Sequence, residues 1–216
     1  MNMKKWMAIG VMGGLLTQAG AAPDAEIAAK PPEQAKASAA VPEVQSLLAS
    51  GRQALTEGKW AEGVALFEKA RKLEPTNPEA DFGLSSALIG LDRLAEAMPL
   101  LESLREIAPD NPMVMNNLAW VYAKAEDPKL RNPDKAIKLA RTALLELPAD
   151  YSIWNTLGEA YYAAGQFNLA LRAAESAMRL TRMAGVTNDD SCRELVARCR
   201  RAGKDSAVGR SEDVSP

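Results

Sequence analysis

Apolar side chains recur at steps of three, four and seven from Val44 onward, the spacing of helices that bury one face. Leu47, Leu55, Trp60, Phe67 and Leu73 fill the large positions of the first stretch, and Gly51, Gly63 and Ala70 fill the small ones. The pattern predicts a helix over about 44–57, a turn at Gly58-Lys59 and a second helix to about Glu74. Small residues at these places let two antiparallel helices cross closely, because a bulky side chain there would push the axes apart.

The same order returns over 78–111, with Ser85 in place of Gly51, Ala97 in place of Gly63 and Leu104 in place of Ala70. Those replacements make the second unit the weakest repeat and predict looser packing there. Pro75 and Pro109 are 34 residues apart. The third unit departs from that period. Ala119 and Ala136 are 17 residues apart where Gly51 and Gly63 are 12 apart, so five extra residues enter within 124–132. Asp127-Pro128 predicts a turn in that insertion, and Leu130 an apolar anchor. A fourth unit carries Trp154, Leu157, Gly158, Tyr161, Gly165, Phe167, Ala170 and Ala177. Asn77-Pro78, Asn111-Pro112 and Asn132-Pro133 each set a capping amide before a proline in the first helical turn. The units run about 44–77, 78–111, 112–150 and 151–184. A last helix over about 188–202, capped by Thr187 or Asn188, completes a folded region at 43–202. Its Cys192, Leu195, Val196 and Cys199 form one apolar stripe, while Arg193, Glu194, Arg198, Arg200 and Arg201 face outward, as a terminal cap requires.

The run Trp154-Asn155-Thr156-Leu157-Gly158-Glu159-Ala160-Tyr161, followed by Gly165-Gln166-Phe167 and Ala170, resembles the tetratricopeptide repeat family. A period of 34 is the tetratricopeptide period. Leu118-Ala119-Trp120, Leu130-Arg131-Asn132-Pro133 and Ala136 resemble an extended-loop variant found in exported bacterial members. The resemblance covers about 44–183. It implies an all-α fold: a right-handed α-solenoid of about four helix pairs plus a C-terminal capping helix. Its concave face, lined by the first helix of each pair, would bind a protein or peptide segment.

Helical phase then assigns the groove. Leu48, Arg52 and Leu55 face it in unit one, Phe82, Ser86 and Ile89 in unit two, Asn116, Trp120 and Ala123 in unit three, and Asn155, Glu159 and Tyr162 in unit four. Two roles are open for Trp120 and Phe82: anchors for a bound segment, or packing between adjacent repeats. Asn116 and Asn155 hold equivalent places, and their amides can donate to and accept from a peptide backbone. Arg52 is the one groove cation expected in the first three units, which does not match the pattern of family members that hold a chain-terminal carboxylate.

The ends read differently. Lys4 and Lys5 precede an uncharged apolar run at 6–16, and Ala19-Gly20-Ala21 follows, so residues 1–22 are expected to be a secretory signal and the mature protein periplasmic or secreted. The run is too short to span a bilayer, which needs about 20 apolar residues. Residues 23–42 are rich in Ala, Pro, Lys and Glu and are expected to form a flexible linker, and 203–216 a disordered tail.

Charge and chemistry narrow the function. The formal net charge is −2 and the 216 residues contain no histidine. No basic face argues for nucleic acid, and neither a Ser-His-Asp triad nor a histidine metal site can form. Cys192 and Cys199, seven apart on one helix, would lie about 10.5 Å apart, too far for a disulfide. They are expected as buried small hydrophobes, with an intermolecular bridge as the alternative. No cofactor or catalytic residue is expected. The expected function is a non-catalytic adaptor that binds a partner segment in its groove, in cell-envelope assembly or secretion. The alternatives are a self-associating structural protein, or an accessory subunit that contacts a polysaccharide-handling enzyme or its glycan.

Overall fold

The computed structural model describes residues 32–186 and 190–212, with side chains described over 41–186 and 190–203. Among the described residues the fold is all-α: α1 (Pro32–Thr56), α2 (Trp60–Leu73), α3 (Pro78–Gly90), α4 (Leu94–Ile107), α5 (Pro112–Lys124), α6 (Pro133–Glu146), α7 (Tyr151–Ala163), α8 (Phe167–Met183) and α9 (Asp190–Glu212). Helices adjacent in sequence pack as hairpins, and each odd-numbered helix also touches the next odd one. The odd helices therefore form one continuous wall of a solenoid, and α9 closes its end. No helix among the described residues is long and apolar enough to cross a membrane.

Three joints start as expected. The side-chain oxygen of Asn77 accepts from the backbone N–H of Glu79 and Ala80, that of Asn111 from Met113 and Val114, and that of Asn132 from Lys135. Each amide satisfies donors that the first turn leaves unpaired. Asp150 caps α7 in the same way without a following proline. The expected cap of α9 at Thr187 or Asn188 lies outside the described residues, as does the signal segment at 1–22.

Several expectations are corrected. Helix α1 starts at Pro32 and contains Pro42, so helix begins inside the stretch expected as a linker; residues 23–31 lie outside the described residues. Helix α9 likewise runs to Glu212, past the boundary expected for the tail. Unit two is not loosely packed. Ten residues of α3 between Ala80 and Gly90 are buried, with Asp81 alone half-exposed. Helix α3 sits among α1, α2, α4 and α5, which leaves this stretch no solvent face. Ser85 is tolerated at the tight crossing because its hydroxyl donates to Phe82 O at 2.8 Å within its own helix, and Leu104 is buried where Ala70 stood.

Close approach between units turns on Phe67. Its ring is fully buried and lies over Gly51 of α1 and Gly83 of α3. A Cβ at Gly83 would meet ring atoms at 2.2–2.6 Å, and one at Gly51 at 2.7–3.0 Å. Both positions must be glycine for the ring to bridge the first and second units.

The insertion in the third unit forms the α5–α6 connection at 125–132, whereas three residues suffice at 57–59, 91–93 and 164–166. Asp127 organises it. Its carbonyl accepts from the N–H of Leu130 and Arg131, and its carboxylate accepts from Lys129 N at 2.9 Å. Asn132 N then donates to Tyr122 O at 2.8 Å. Leu130 packs half-buried against the main core, as an anchor should.

Candidate functional site

The residues assigned to the groove lie on the wall of odd helices, but most of them are covered. Leu48, Leu55, Phe82, Ser86, Ile89, Asn116, Trp120, Ala123, Asn155 and Glu159 are all buried. Tyr162 is half-buried and Arg52 is exposed, where its guanidinium pairs with Glu79 of the next unit. Packing between adjacent odd helices is the reason: residues on that phase meet the neighbouring unit before they meet solvent.

The two asparagines part company. Asn155 Nδ2 donates to Ser191 Oγ at 3.2 Å, and its Oδ1 accepts from Cys192 Sγ at 3.5 Å. The cap helix has taken up the amide expected to be open for a peptide. Asn116 is fully buried, and both its Nδ2 and Oδ1 lack a hydrogen-bond partner among the described residues. Such an orphan is costly. Next to it, Asn117 Nδ2 reaches Ser86 Oγ at 3.2 Å.

A line of charge and aromatic surface runs along the wall. Lys124 Nζ sits 5.6 Å from the centre of the Trp120 ring and 3.3 Å from Glu159 Oε2. Glu159, 3% exposed, also accepts from Arg198 Nη1 at 2.8 Å and Nη2 at 3.2 Å. Arg198 in turn lies 4.2 Å from the centre of the Tyr162 ring, which packs on Phe167 at 5.3 Å. Two cations thus share one buried carboxylate, each with an aromatic face beside it. Burial acts to lower the Arg198 pKa, but the Glu159 charge and the hydrogen bonds to Glu159 and Tyr162 outweigh it, and the net direction is upward. The outward orientation expected for Arg198 is therefore corrected. It turns inward because a buried carboxylate needs charged partners more than an arginine needs water.

Beside Trp120 the wall opens into a cleft of about 470 Å³ at the C-terminal ends of α3 and α5. Ile89, Leu94, Trp120 and Leu130 give it an apolar lining, with Lys124 at one edge. Acidic Asp92, Glu96, Glu126 and Asp127 stand around the rim, where Arg93 pairs with Glu96 at 2.6 Å. Asp92 adopts φ 65°, the left-handed turn that redirects the chain from α3 into α4. Of the expected groove residues, this cleft brings together Ile89 and Trp120. Arg52, Phe82, Asn116, Asn155, Glu159 and Tyr162 lie elsewhere on the wall. Sequence phase missed Leu130, whose only signal is an apolar residue isolated in a polar loop. It also missed Lys124, one helical turn beyond Trp120.

Family models described as tetratricopeptide repeat match residues 54–120 and 129–182, together more than half of the chain. Solved structures share the fold. A thermophilic TPR protein of Thermus thermophilus is 20% identical with TM-score 0.55, the match covering 78% of this chain and 96% of that one. A MamA mutant is 19% identical with TM-score 0.53, covering 81% and 92%. MamA from Desulfovibrio magneticus RS-1 is 16% identical with TM-score 0.50, covering 83% and 98%. No protein of curated function matches the sequence.

Proposed function

Because the chain belongs to the tetratricopeptide repeat family, we propose that it is a non-catalytic adaptor that holds a segment of a partner protein against its inner wall. The observation that carries this reading is the cleft at Ile89, Leu94, Trp120 and Leu130. It is apolar at the bottom and charged at the rim, the pattern of a site that seats one anchor side chain and orients what flanks it. The acidic rim favours an anchor with basic neighbours. The signal-like segment at 1–22 supports work in the periplasm or outside the cell, in envelope assembly or secretion.

Capture from an envelope extract tests the reading. The full chain is immobilised beside a Leu130→Arg variant, which fills the cleft from a loop and leaves the helices intact. Proteins held by the parent are expected to disappear from the variant at unchanged helicity. An identical set of captured proteins would overturn the reading.

Self-association has one observation in its favour. Leu73, Ile107 and Leu145, near the ends of α2, α4 and α6, are exposed. Light scattering on the full chain separates this second reading from the first.

A further inference from the structure

The last two helices form a second trough, built from other elements than the cleft above. Helices α1, α3, α5 and α7 are each packed by the helix that follows them; among the described residues nothing follows α9 to do the same. A trough of about 480 Å³ remains between α8 and α9. Arg179 and Arg182 line it from α8, and Arg193 and Arg200 from α9, over an apolar floor of Met178 and Val196. Among the described residues Glu175 is the one carboxylate in the lining, and it meets Arg200 at 3.4 Å. Arg179 donates to Ser176 Oγ at 3.3 Å, and neither Arg179 nor Arg182 has an ion pair among the described residues. Arg200 is held by Glu175 and Arg193 has an interaction of its own, which leaves Arg179 and Arg182 as the two lining guanidiniums open to an incoming anion, in a chain whose net charge is −2. Arg179 and Arg182, three residues apart on one side of the trough, repel one another unless an anion joins them.

We propose that this trough docks a short acidic segment of a partner protein, one that carries an apolar side chain among its carboxylates. Guanidinium forks match carboxylates two-to-two, and the floor of Met178 and Val196 matches the apolar side chain. A nucleic acid fits less well. Its uniform charge would extend past the trough onto a chain that is acidic overall. A bilayer is flat and cannot enter a trough between two helix ridges. Among the described residues α9 runs as unbroken helix to Glu212 and does not turn back into the trough. The proposal involves other residues than the cleft at Trp120, so either site can fail without the other.

The test uses the full chain and a fluorescein-labelled peptide that alternates Glu with Leu, read by anisotropy. Arg179→Gln with Arg182→Gln removes two exposed guanidiniums from the trough, and Arg141→Gln serves as the control for an exposed arginine elsewhere. The acidic peptide is expected to bind, its Gln-for-Glu counterpart to bind about tenfold more weakly or not at all, and the double variant to lose about tenfold while the control loses nothing. Replacing Leu by Ser in the peptide should weaken binding to the parent and leave less to lose on Met178→Gln. No binding of the acidic peptide, or equal binding by parent and double variant, overturns the proposal. So does tighter binding to phosphatidylcholine–phosphatidylglycerol vesicles or to a single-stranded oligonucleotide, or a dimer that the double variant dissolves.

Discussion

Arg198 of α9 grips Glu159 of α7 through both terminal nitrogens, at 2.8 and 3.2 Å. The pair fastens the cap to the inner wall, and Lys124 of α5 reaches the same carboxylate at 3.3 Å. One side chain thus ties together three successive odd helices. Removing one partner leaves a buried charge short of hydrogen bonds. Arg198→Met should lower stability by about 2 kcal/mol, seen as an earlier urea midpoint. Lys124→Met should cost less, because the Arg198 pair survives. Equal and negligible losses would show that the cap is held by its apolar stripe alone.

Cys199 is buried, and burial pushes its thiol from the ordinary 9.0 up to about 11. The folded chain therefore keeps a proton that the unfolded chain gives up. The stability this provides is complete below pH 9 and is lost as pH rises through 11. Urea midpoints of the parent should fall between about pH 8 and pH 11 more steeply than those of Cys199→Ala. A thiol reagent at about pH 8 should find neither cysteine in the native protein and both in urea, since Cys192 is equally buried.

Gly83→Ala should destabilise by about 1–3 kcal/mol, because the new methyl enters the Phe67 ring. Phe67→Leu in the same chain should return part of that loss. A double-mutant cycle measured by chemical denaturation checks the coupling; independent, additive effects would place the strain elsewhere.

Asn116 offers the opposite expectation. Its amide is buried with no partner at either end among the described residues, so an apolar residue of similar size should be an improvement. Asn116→Leu is expected to gain about 1 kcal/mol, read as a higher melting temperature. A loss of stability would mean that the amide is satisfied in solution.

The helix pairs are legible in the sequence because their information is local. Gly51, Gly63 and Ala70 mark tight crossings within one unit, and Asn-Pro steps mark where helices begin. Asp150 escapes that signal because no proline follows it. The wall itself is harder to read. Phase places Phe82, Trp120 and Asn155 on one side of their helices, but burial depends on how closely the next unit approaches. The Lys124–Glu159–Arg198 cluster joins residues 35 and 39 positions apart, and no spacing rule foresees it. The cleft depends on where the five extra residues of the third unit fold, and Leu130 gains its meaning only when that loop lies against Trp120.

The apolar interior divides unevenly towards its C-terminal end, with Tyr161 packed against both parts. One large cluster runs from Val44 to Ala173, while Ala170, Ala174, Leu195, Val196 and Cys199 form a separate small one beneath α9. A molecule pulled from its two ends would therefore not give way all at once. The cap would peel away first under tension, as a low-force step ahead of the main rupture, and would settle back when the load is released while the rest of the coil still stands.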